Sequence, residues 1–423
     1  MKKWLTGLLT LGVLFSLAAC KTSETKEAKT EEKITSFSDA EKQGKGETVT
    51  FYGFGGDEKA NVWVDEVVTP AMKEKYDITV KRVPMDIDQI LNKLTTEKEA
   101  GTKTGDIDVI WINGENFYTA KQAKLLYGPI AKNVESFKKL MDVDGHNSKY
   151  DFGVKIDGYE VPYGSAQLVF AGDKETFKNG FPTDTQALLA YAKENPGKIT
   201  YTAPPEFTGS AFVRNIICDI VGYDKVEAAG ATKEELYKVI KPGLDYLNEI
   251  KPYLWQEGKT YPTTTAELDQ MFAAGQIDMS YSYSQMHVAQ KRSDNEFKQS
   301  TESFLFDKGT IANQSYLAIA NTSKVKAGAL LLINEMTSES AQLKKAEAKY
   351  GYSIPPFDPD KLSEETNQKL TDLYKNQGVL SLEEMQEKQI PEVQAEKIPI
   401  IESLWKEHVL NLSLIHISEP TRR

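Results

Sequence analysis

The sequence predicts a chain built from two α/β lobes. Strands and amphipathic helices alternate from Thr48 onward, which is typical of sheets whose strands are joined by crossing helices. The alternation ends near Tyr163 and then begins again. The apolar run at residues 109–112 is typical of a strand buried on both faces of a parallel sheet. We therefore expect two lobes, each with a mostly parallel sheet.

The first twenty residues have the pattern of an export signal. Lys2 and Lys3 precede a short apolar run at residues 8–19, and small residues precede Cys20. The run is too short for a bilayer, which needs about 20 apolar residues. Residues 17–20, Leu-Ala-Ala-Cys, resemble a bacterial lipobox. That resemblance implies removal of residues 1–19 and lipid attachment to Cys20, which would hold the protein on the outer face of a bacterial cell membrane. The alternative is an ordinary signal peptide that contains a cysteine.

Composition narrows the class of protein further. The formal net charge is −11, and nucleic-acid binding needs clustered Lys and Arg, so we expect no nucleic-acid partner. Residues 21–47 are rich in Lys, Glu, Ser and Thr and have few large apolar side chains, so residues 20–47 are predicted to be a lipidated cysteine and a disordered stalk. If Cys20 carries lipid, Cys218 has no disulfide partner, and its apolar neighbours predict a buried side chain.

The elements of the first lobe follow in order from Thr48. Residues 49–52 read as a strand before a glycine-rich turn, and a helical pattern then runs through Trp63, Val67 and Met72. Residues 78–80 and 107–112 read as further strands. Between them, residues 87–98 have apolar side chains at helical spacing on one face.

The second half of the chain repeats this organisation. Strands are predicted at residues 168–170, 199–201, 277–281 and 315–319, and helices at 187–193 and from about Gly209. The segment 309–314 precedes the last of these strands and is interpreted as a return crossing between lobes. The proline-rich residues 354–356 precede a mainly helical end. Residues 412–423 resemble a translated sequencing adapter, with a disordered tail as the alternative.

No catalytic motif stands out. The sequence has no phosphate-binding loop, no His-Glu-x-x-His motif and no Gly-x-Ser-x-Gly elbow. Its four histidines lie far apart, without the spacing of metal ligands. We therefore predict no enzyme activity, no cofactor and no metal, although a hydrolase could assemble a carboxylate pair by folding.

Candidate ligand-binding residues lie where the predicted strands end, since ligands of open α/β sheets bind beyond the carboxyl ends of strands. A glycine-rich turn would let a ligand approach the backbone. Glu115 could face a cation, while the asparagines beside it could bind the ligand or cap a helix. The candidates in these two turns are Phe54, Gly55, Gly56, Asn113, Glu115 and Asn116.

Further candidates lie nearer the crossings and in the second lobe. Each has a structural alternative: a hinge turn, a helix cap, or simple packing. The start of the helix near Gly209 has unpaired amides that favour an anion, and Arg214 could assist that anion or pair with Glu206. The tyrosines could stack on a ligand or close on a cation. These candidates are Tyr163, Gln167, Thr208, Gly209, Ser210, Tyr281, Tyr283 and Asn313.

From Thr48 to Leu410 the chain resembles the extracellular solute-binding proteins, family 1, of ABC importers. The resemblance is carried by the lipobox, by Trp-Ile-Asn-Gly-Glu-Asn-Phe at 111–117, by Val-Pro-Tyr-Gly at 161–164 and by Gly-Thr-Ile-Ala-Asn at 309–313. These motifs are most similar to an uncharacterised subgroup related to binding proteins for thiamine, iron and polyamines.

The resemblance implies a two-lobed fold of the type II periplasmic-binding class, with a hinge and an interlobe cleft. Crossings are expected near Gly164, Thr310 and Pro355. Lobe I would comprise residues 48–165 with 310–352, and lobe II residues 166–309 with 353–411. A monomer would close on a small solute and deliver it to a membrane permease driven by a separate ATPase.

Three alternatives remain open at this point. A ferric-ion receptor of the same fold would use tyrosines such as Tyr281 and Tyr283, while an anchored enzyme or adhesin would use the scaffold differently. The solute also stays open: Glu115 and the aromatic residues favour an amine, the helix start at Gly209 favours an anion, and a zwitterion satisfies both.

Overall fold

The structure is a computed structural model that describes residues 34–411, except Phe54 and Gly56. The predicted signal peptide, the predicted lipidation of Cys20, the first part of the predicted stalk and the tail at 412–423 all lie outside the described residues, as do two of the candidate ligand-binding residues.

The chain up to the first crossing contains the first sheet strands and the helices between them. A π-helical segment, Val64–Val68, joins two of these helices. The elements are α1 (Phe37–Gly44), β1 (Thr48–Gly53), α2 (Glu58–Trp63), α3 (Thr69–Tyr76), β2 (Thr79–Pro84), α4 (Ile87–Glu99), β3 (Val109–Ile112), α5 (Gly114–Gln122), β4 (Leu126–Tyr127), α6 (Glu135–Leu140), α7 (His146–Lys149), β5 (Tyr150–Asp151), β6 (Val154–Lys155) and β7 (Glu160–Gln167).

The next part of the chain is mainly helical and contributes three strands. Its elements are β8 (Val169–Asp173), α8 (Thr185–Glu194), α9 (Phe207–Val221), α10 (Tyr223–Ala228), α11 (Lys233–Ile250), α12 (Thr265–Ala273), β9 (Met279–Ser282), α13 (His287–Ser293) and β10 (Thr301–Phe304).

The last part returns to the first sheet and then ends in helices, as predicted. Its elements are β11 (Thr310–Ala320), α14 (Lys326–Met336), α15 (Glu339–Lys345), α16 (Glu364–Tyr374), α17 (Leu382–Glu387), β12 (Gln389–Pro391) and α18 (Ile398–Trp405), which continues into a π-helical segment at Lys406–Leu410.

Side chains fix where several helices begin. Asp57 accepts a hydrogen bond from the Ala60 amide at the start of α2, and Asp184 accepts one from Ala187 at the start of α8. Ser381 and Glu384 form a reciprocal capping box at α17. Each cap satisfies an amide that has no partner inside the helix.

The first sheet has the strand order β12-β11-β3-β1-β2, and β4 and β7 also pair with β11. Strands β1, β2 and β3 are parallel, as predicted. The long strand β11 runs antiparallel to β3 and β7, because it returns from the second half of the chain. The carboxyl ends of β1 and β3 therefore lie at the same edge, with the first two candidate turns.

The second sheet differs from the prediction of parallel strands. Its order is β10-β8-β9, and both pairings are antiparallel. The predicted strand at 199–201 is also wrong. Ile199 and Tyr201 are buried, but this segment bonds to the Trp255 amide through the Ile199 carbonyl and joins no sheet.

Separate apolar cores confirm the two-lobed fold. Lobe I packs on the first sheet, with Trp63 and Met72 on one face and Ile90 on the other. Lobe II packs around Phe170 and the buried face of α9. A smaller cluster includes Val169 of lobe II, Ala346 of lobe I, and Leu370, Tyr374 and Met385 from α16 and α17. Residues 353–391 therefore contact both lobes.

Among the described residues, no helix combines the length and apolarity needed to cross a bilayer.

The prediction of a disordered stalk is wrong for residues 34–47. Helix α1 begins at Phe37, with Ser36 capping it, and packs against α14 of lobe I. Ala40 is fully buried, and a Cβ atom on Gly44 would lie 2.7 Å from the Gly328 amide nitrogen. A few small residues pack α1 against lobe I, a contact that the polar composition of the segment did not reveal.

We expect Gly44→Ala to destabilise this contact. The added methyl group meets the backbone of α14, so α1 has to move, and the free energy of unfolding should fall by about 1–3 kcal/mol. Urea unfolding of the two proteins measures the difference. Lys42→Ala, at an exposed position of the same helix, is the matched control and should stay within about 0.5 kcal/mol of the parent.

Candidate functional site

The start of α9 does not offer a free anion site. Glu206 accepts a hydrogen bond from the Gly209 amide at 2.7 Å and another from the Thr202 hydroxyl at 2.7 Å. A side chain on Gly209 would collide with the Thr202 carbonyl, 2.1 Å from the added Cβ atom. The protein's own carboxylate therefore occupies the amide that the sequence assigned to a solute anion, which favours the helix-cap alternative. Thr208 is buried in the same turn.

A buried ion pair lies one turn further along α9. The Arg214 guanidinium donates to both oxygens of Glu392, at 3.0 and 2.8 Å, and both side chains are 1 % exposed. Arg214 therefore pairs with Glu392 rather than with Glu206. This two-point geometry is the strong form of an Arg–carboxylate contact.

Two further hydroxyl groups complete this network. The Ser210 hydroxyl accepts from Arg214 and donates to Glu402, both at 2.6 Å. The Tyr283 hydroxyl donates to Glu392 at 2.8 Å. The structure thus brings together two predicted site residues, Ser210 and Tyr283, through Arg214 and through two acidic groups that the prediction did not include.

Glu115 faces this network from lobe I. It lies in the first turn of α5, where the Gly114 amide donates to the buried Asp151 carboxylate and Gly114 has a φ of +58°. Loss of hydration among surrounding protein atoms raises the pKa of Glu115, and Glu402 raises it further. The Glu115 side chain is nevertheless exposed to solvent. A group that is both accessible and surrounded lies in a concave surface, as expected for an interlobe cleft.

The local charge is negative. Glu115, Glu392 and Glu402 contribute three carboxylates, and Arg214 is the nearby cation that lowers the pKa of Glu115. Asp88 also raises the pKa of Glu115, less than Glu402 does and more than Glu392 does. Because Arg214 is already paired with Glu392, this surface favours a positively charged group.

An exposed aromatic ring lies beside these acids. Phe207, the first residue of α9, is 45 % exposed although large apolar side chains are usually covered. Its ring centroid lies 5.2 Å from that of Tyr283. An aromatic face next to carboxylates is suited to an organic cation. Phe207 stands in a segment that the sequence analysis considered, but its role depends on an exposure that only the fold reveals.

The two candidate tyrosines of lobe II have different positions. Tyr281 is buried, stacks on Phe212 with 5.0 Å between ring centroids, and accepts a hydrogen bond from the Thr202 amide. Tyr283 follows the end of β9 and is held by Glu392. The structure therefore assigns Tyr281 to the core, which is the packing alternative. Burial raises the pKa of both tyrosines.

The two candidates at the crossings, Gln167 and Asn313, have different hydrogen-bonding environments. Gln167 is fully buried, donates to the Thr310 hydroxyl and the Lys388 carbonyl, and accepts from Gln285. Its polar atoms are thus used inside the protein, which favours the structural alternative for Gln167. Asn313 differs: it is 7 % exposed, and neither side-chain amide atom has a hydrogen-bond partner in the described part of the chain.

The remaining candidates lie at the edge of lobe I. Asn113 and Asn116 are partly exposed at the start of α5. The Gly55 carbonyl accepts a hydrogen bond from Asn61, which fixes the turn after β1. Tyr163 is 5 % exposed and its ring packs against Trp63 and Lys345, so it does not present an open aromatic wall.

The three crossings also border a cavity of about 260 Å³. Ser165 and Gln314 line it from β7 and β11, and Ile354 lines it from the third crossing. The Ser165 hydroxyl and the Gln314 side chain are hydrogen-bonded to each other. Residues of β7, β11 and the segment at Ile354 therefore lie side by side around this cavity.

Comparisons with known proteins point to one family. The sequence profile of bacterial extracellular solute-binding proteins matches residues 66–369. Protein YnjB of Escherichia coli (strain K12) is 34 % identical over 362 residues, which cover 85 % of this chain and 88 % of YnjB.

Solved structures agree on the fold. A putative spermidine/putrescine ABC transporter from Listeria monocytogenes has a TM-score of 0.58 at 16 % identity, covering 85 % of this chain and 98 % of that one. Iron-bound HitA from Pseudomonas aeruginosa has a TM-score of 0.57 at 14 % identity, covering 86 % of this chain and 99 % of that one. At these identities the likeness concerns the fold alone.

We expect Arg214→Met to destabilise lobe II severely. It leaves the Glu392 carboxylate buried without its cation, which typically costs about 3–5 kcal/mol of unfolding free energy. The double variant Arg214→Met/Glu392→Leu removes both charges and should recover most of the loss. Denaturant unfolding, followed by tryptophan fluorescence, tests both. An Arg214→Met protein as stable as the parent would contradict the buried pair.

Proposed function

The chain belongs to the bacterial extracellular solute-binding proteins, and we propose that it binds a small solute between its lobes and closes around it. Members of this family are the non-enzymatic solute receptors of ABC importers, which work with a permease and an ATPase. We further propose that this chain is a monomer anchored through lipid on Cys20, a proposal supported by the sequence of residues 17–20.

The observation that carries the binding proposal is the position of Glu115. Loss of hydration and the carboxylates of Glu402 and Glu392 of lobe II raise the pKa of Glu115, while its side chain stays accessible to solvent. Phe207 adds an exposed ring on the lobe II side. A solute with a cationic amine would neutralise Glu115 and cover Phe207 in the same step, so we propose that the solute carries such a group.

Closure is supported by a contact between the lobes. The Lys59 ammonium of lobe I donates to both carboxylate oxygens of Asp294 of lobe II, at 2.9 and 2.7 Å. Lys59 stands in the first turn of α2, and Asp294 caps the C-terminal end of α13. Each charge is poorly placed relative to its own helix dipole, so pairing across the lobes compensates both. A solute drives closure only insofar as it binds the closed state better than the open one.

The ferric-ion alternative has little support in this chain. A tyrosine that ligates iron loses its hydroxyl proton. The Tyr283 hydroxyl keeps its proton and donates a hydrogen bond to Glu392, and Tyr281 lies in the core. Within the described residues, no three His, Cys, Asp or Glu side chains are grouped as metal ligands. We therefore propose the organic cation over the metal.

We expect one solute class to stabilise the protein strongly. The chain from residue 21 is unfolded and refolded to remove bound solute, and then heated with polyamines, thiamine, amino acids, betaines, sugars or ferric chelates. At about 1,000 times its dissociation constant a ligand stabilises by about 4 kcal/mol. That corresponds to a Tm increase of roughly 5 °C for a chain of this size. A response to ferric chelates alone would reverse the choice of an organic cation.

Two substitutions are expected to separate binding from folding. Glu115→Gln and Phe207→Ala should each weaken amine binding at least tenfold, while the Tm of the empty protein stays nearly unchanged because both side chains are exposed.

Since the pKa of Glu115 is raised and a bound cation favours its ionised form, amine affinity should increase as pH rises through that pKa. Calorimetric titration at several pH values measures this.

Val62→Ala is the matched control for these variants. Val62 is the other large apolar side chain described as exposed, at 38 %. It lies on α2, and its truncation should leave amine affinity unchanged. Equal losses of affinity in Val62→Ala and Phe207→Ala would contradict a specific role for Phe207.

A further inference from the structure

A buried lysine lies where the three crossings between the lobes meet. Lys345 is the last residue of α15 and is 5 % exposed. A Cβ atom placed on Gly164, in the first crossing, would lie 3.7 Å from Lys345 Nζ. It would lie 3.4 Å from the Ser315 hydroxyl in the second crossing and 3.6 Å from the Ser353 hydroxyl in the third. An ammonium group and two hydroxyls thus surround one point of the hinge.

This ammonium group has aromatic neighbours but no counter-charge. Nζ lies 3.5 Å from the centroid of the Tyr163 ring and 5.3 Å from that of Trp63. Across the described ranges, the ion pairs and hydrogen bonds include none from Lys345 Nζ, whereas the other buried lysines, Lys251 and Lys397, both donate to backbone carbonyls. The rings offset part of the cost of burying a cation, and the rest is uncompensated.

The electrostatics agree with this geometry. Loss of hydration lowers the pKa of Lys345 to about 7, and the Asp57 carboxylate is the charged group that acts in the opposite direction. Tyr163 faces the lysine with its ring, and burial raises the pKa of its hydroxyl, so Tyr163 stays neutral. A bound anion would stabilise the charged lysine and supply the counter-charge that its described neighbours do not.

We propose that Lys345 binds an anionic group of the solute, a carboxylate or a phosphate, with the Ser353 hydroxyl as its neighbour. This inference rests on the proposed solute-binding function and refines its ligand class. An anion at this position contacts all three crossings, so its affinity depends on their relative positions. Together with the acidic surface around Glu115, it makes a solute that carries both charges the expected ligand.

The test compares probes that differ by one charged group. Putrescine and 4-aminobutyrate have the same length but end in an amine or a carboxylate, and choline and glycine betaine form a second pair. Calorimetry at pH 6.5 measures each dissociation constant for the parent and for Lys345→Met. We expect the parent to prefer the carboxylate member of a pair. Lys345→Met should lose at least tenfold affinity for that member and less than threefold for the partner that lacks a carboxylate.

Neighbouring and conservative variants separate binding from structure. Lys344→Met removes a charge from the adjacent exposed residue, which pairs with Glu347, and should leave the preference intact. Lys345→Arg keeps the charge and should retain part of the preference. In the parent, affinity for the carboxylate member should fall about tenfold per pH unit above pH 7, because the lysine loses its charge there. That slope should be absent in Lys345→Met.

The outcomes distinguish this inference from the function itself. If a probe binds tightly and Lys345→Met leaves its affinity and pH slope unchanged, the inference is overturned while the receptor function stands. If no organic probe binds, inorganic phosphate is titrated against the parent with its lysines ¹³C-dimethylated, and the NMR signal that Lys345→Arg removes is followed. A phosphate-induced increase in the pKa of that signal supports the anion site, and an unchanged pKa overturns it.

Discussion

The hydrogen-bonded pairing of β7 with β11 is the constraint on which the rest of the structure depends. The two strands run antiparallel from Ala312 opposite Gln167 to Ala318 opposite Glu160, so the crossings between the lobes form part of a sheet. Buried backbone groups in two separate linkers would lack partners, whereas here they pair with each other. The register shifts between Ser315 and Tyr316, and this irregularity is where the paired strands can bend. The two crossings are therefore one ordered connection between the lobes, in place of two independent linkers.

Much of the fold was readable from the sequence because its signals are local. The apolar strand β3 and the amphipathic helix α4 lie within two residues of their predicted positions. The direction of the second sheet was not readable, because Phe170 pairs with Tyr281 and with Phe304, more than a hundred residues away. The strand predicted at 199–201 failed for a related reason: its apolar residues show burial, and burial alone does not distinguish a strand from an irregular buried segment.

The candidate site was predictable only in part. Glu115 follows a buried strand, and its position beyond the strand end is a local signal. The partner of Arg214 lies 178 residues away in the chain, so no spacing connects it with Glu392. Glu206 and Gly209 are three residues apart, a spacing equally compatible with a capped helix and with a free anion site. Lys345 has no local signal at all, because its environment is made by Tyr163 and Trp63 from distant segments.

The packing of α1 on α14 has a mechanical consequence. A force applied to the chain before Ile34 is transmitted through α1 to lobe I, because Ala40 and Gly44 pack that helix against Ala327 and Gly328. Lobe II receives this load through the crossings, through the Lys59–Asp294 ion pair and through residues 353–391, which contact both lobes. A pull on the N-terminal side of Ile34 therefore acts on lobe I before it acts on lobe II.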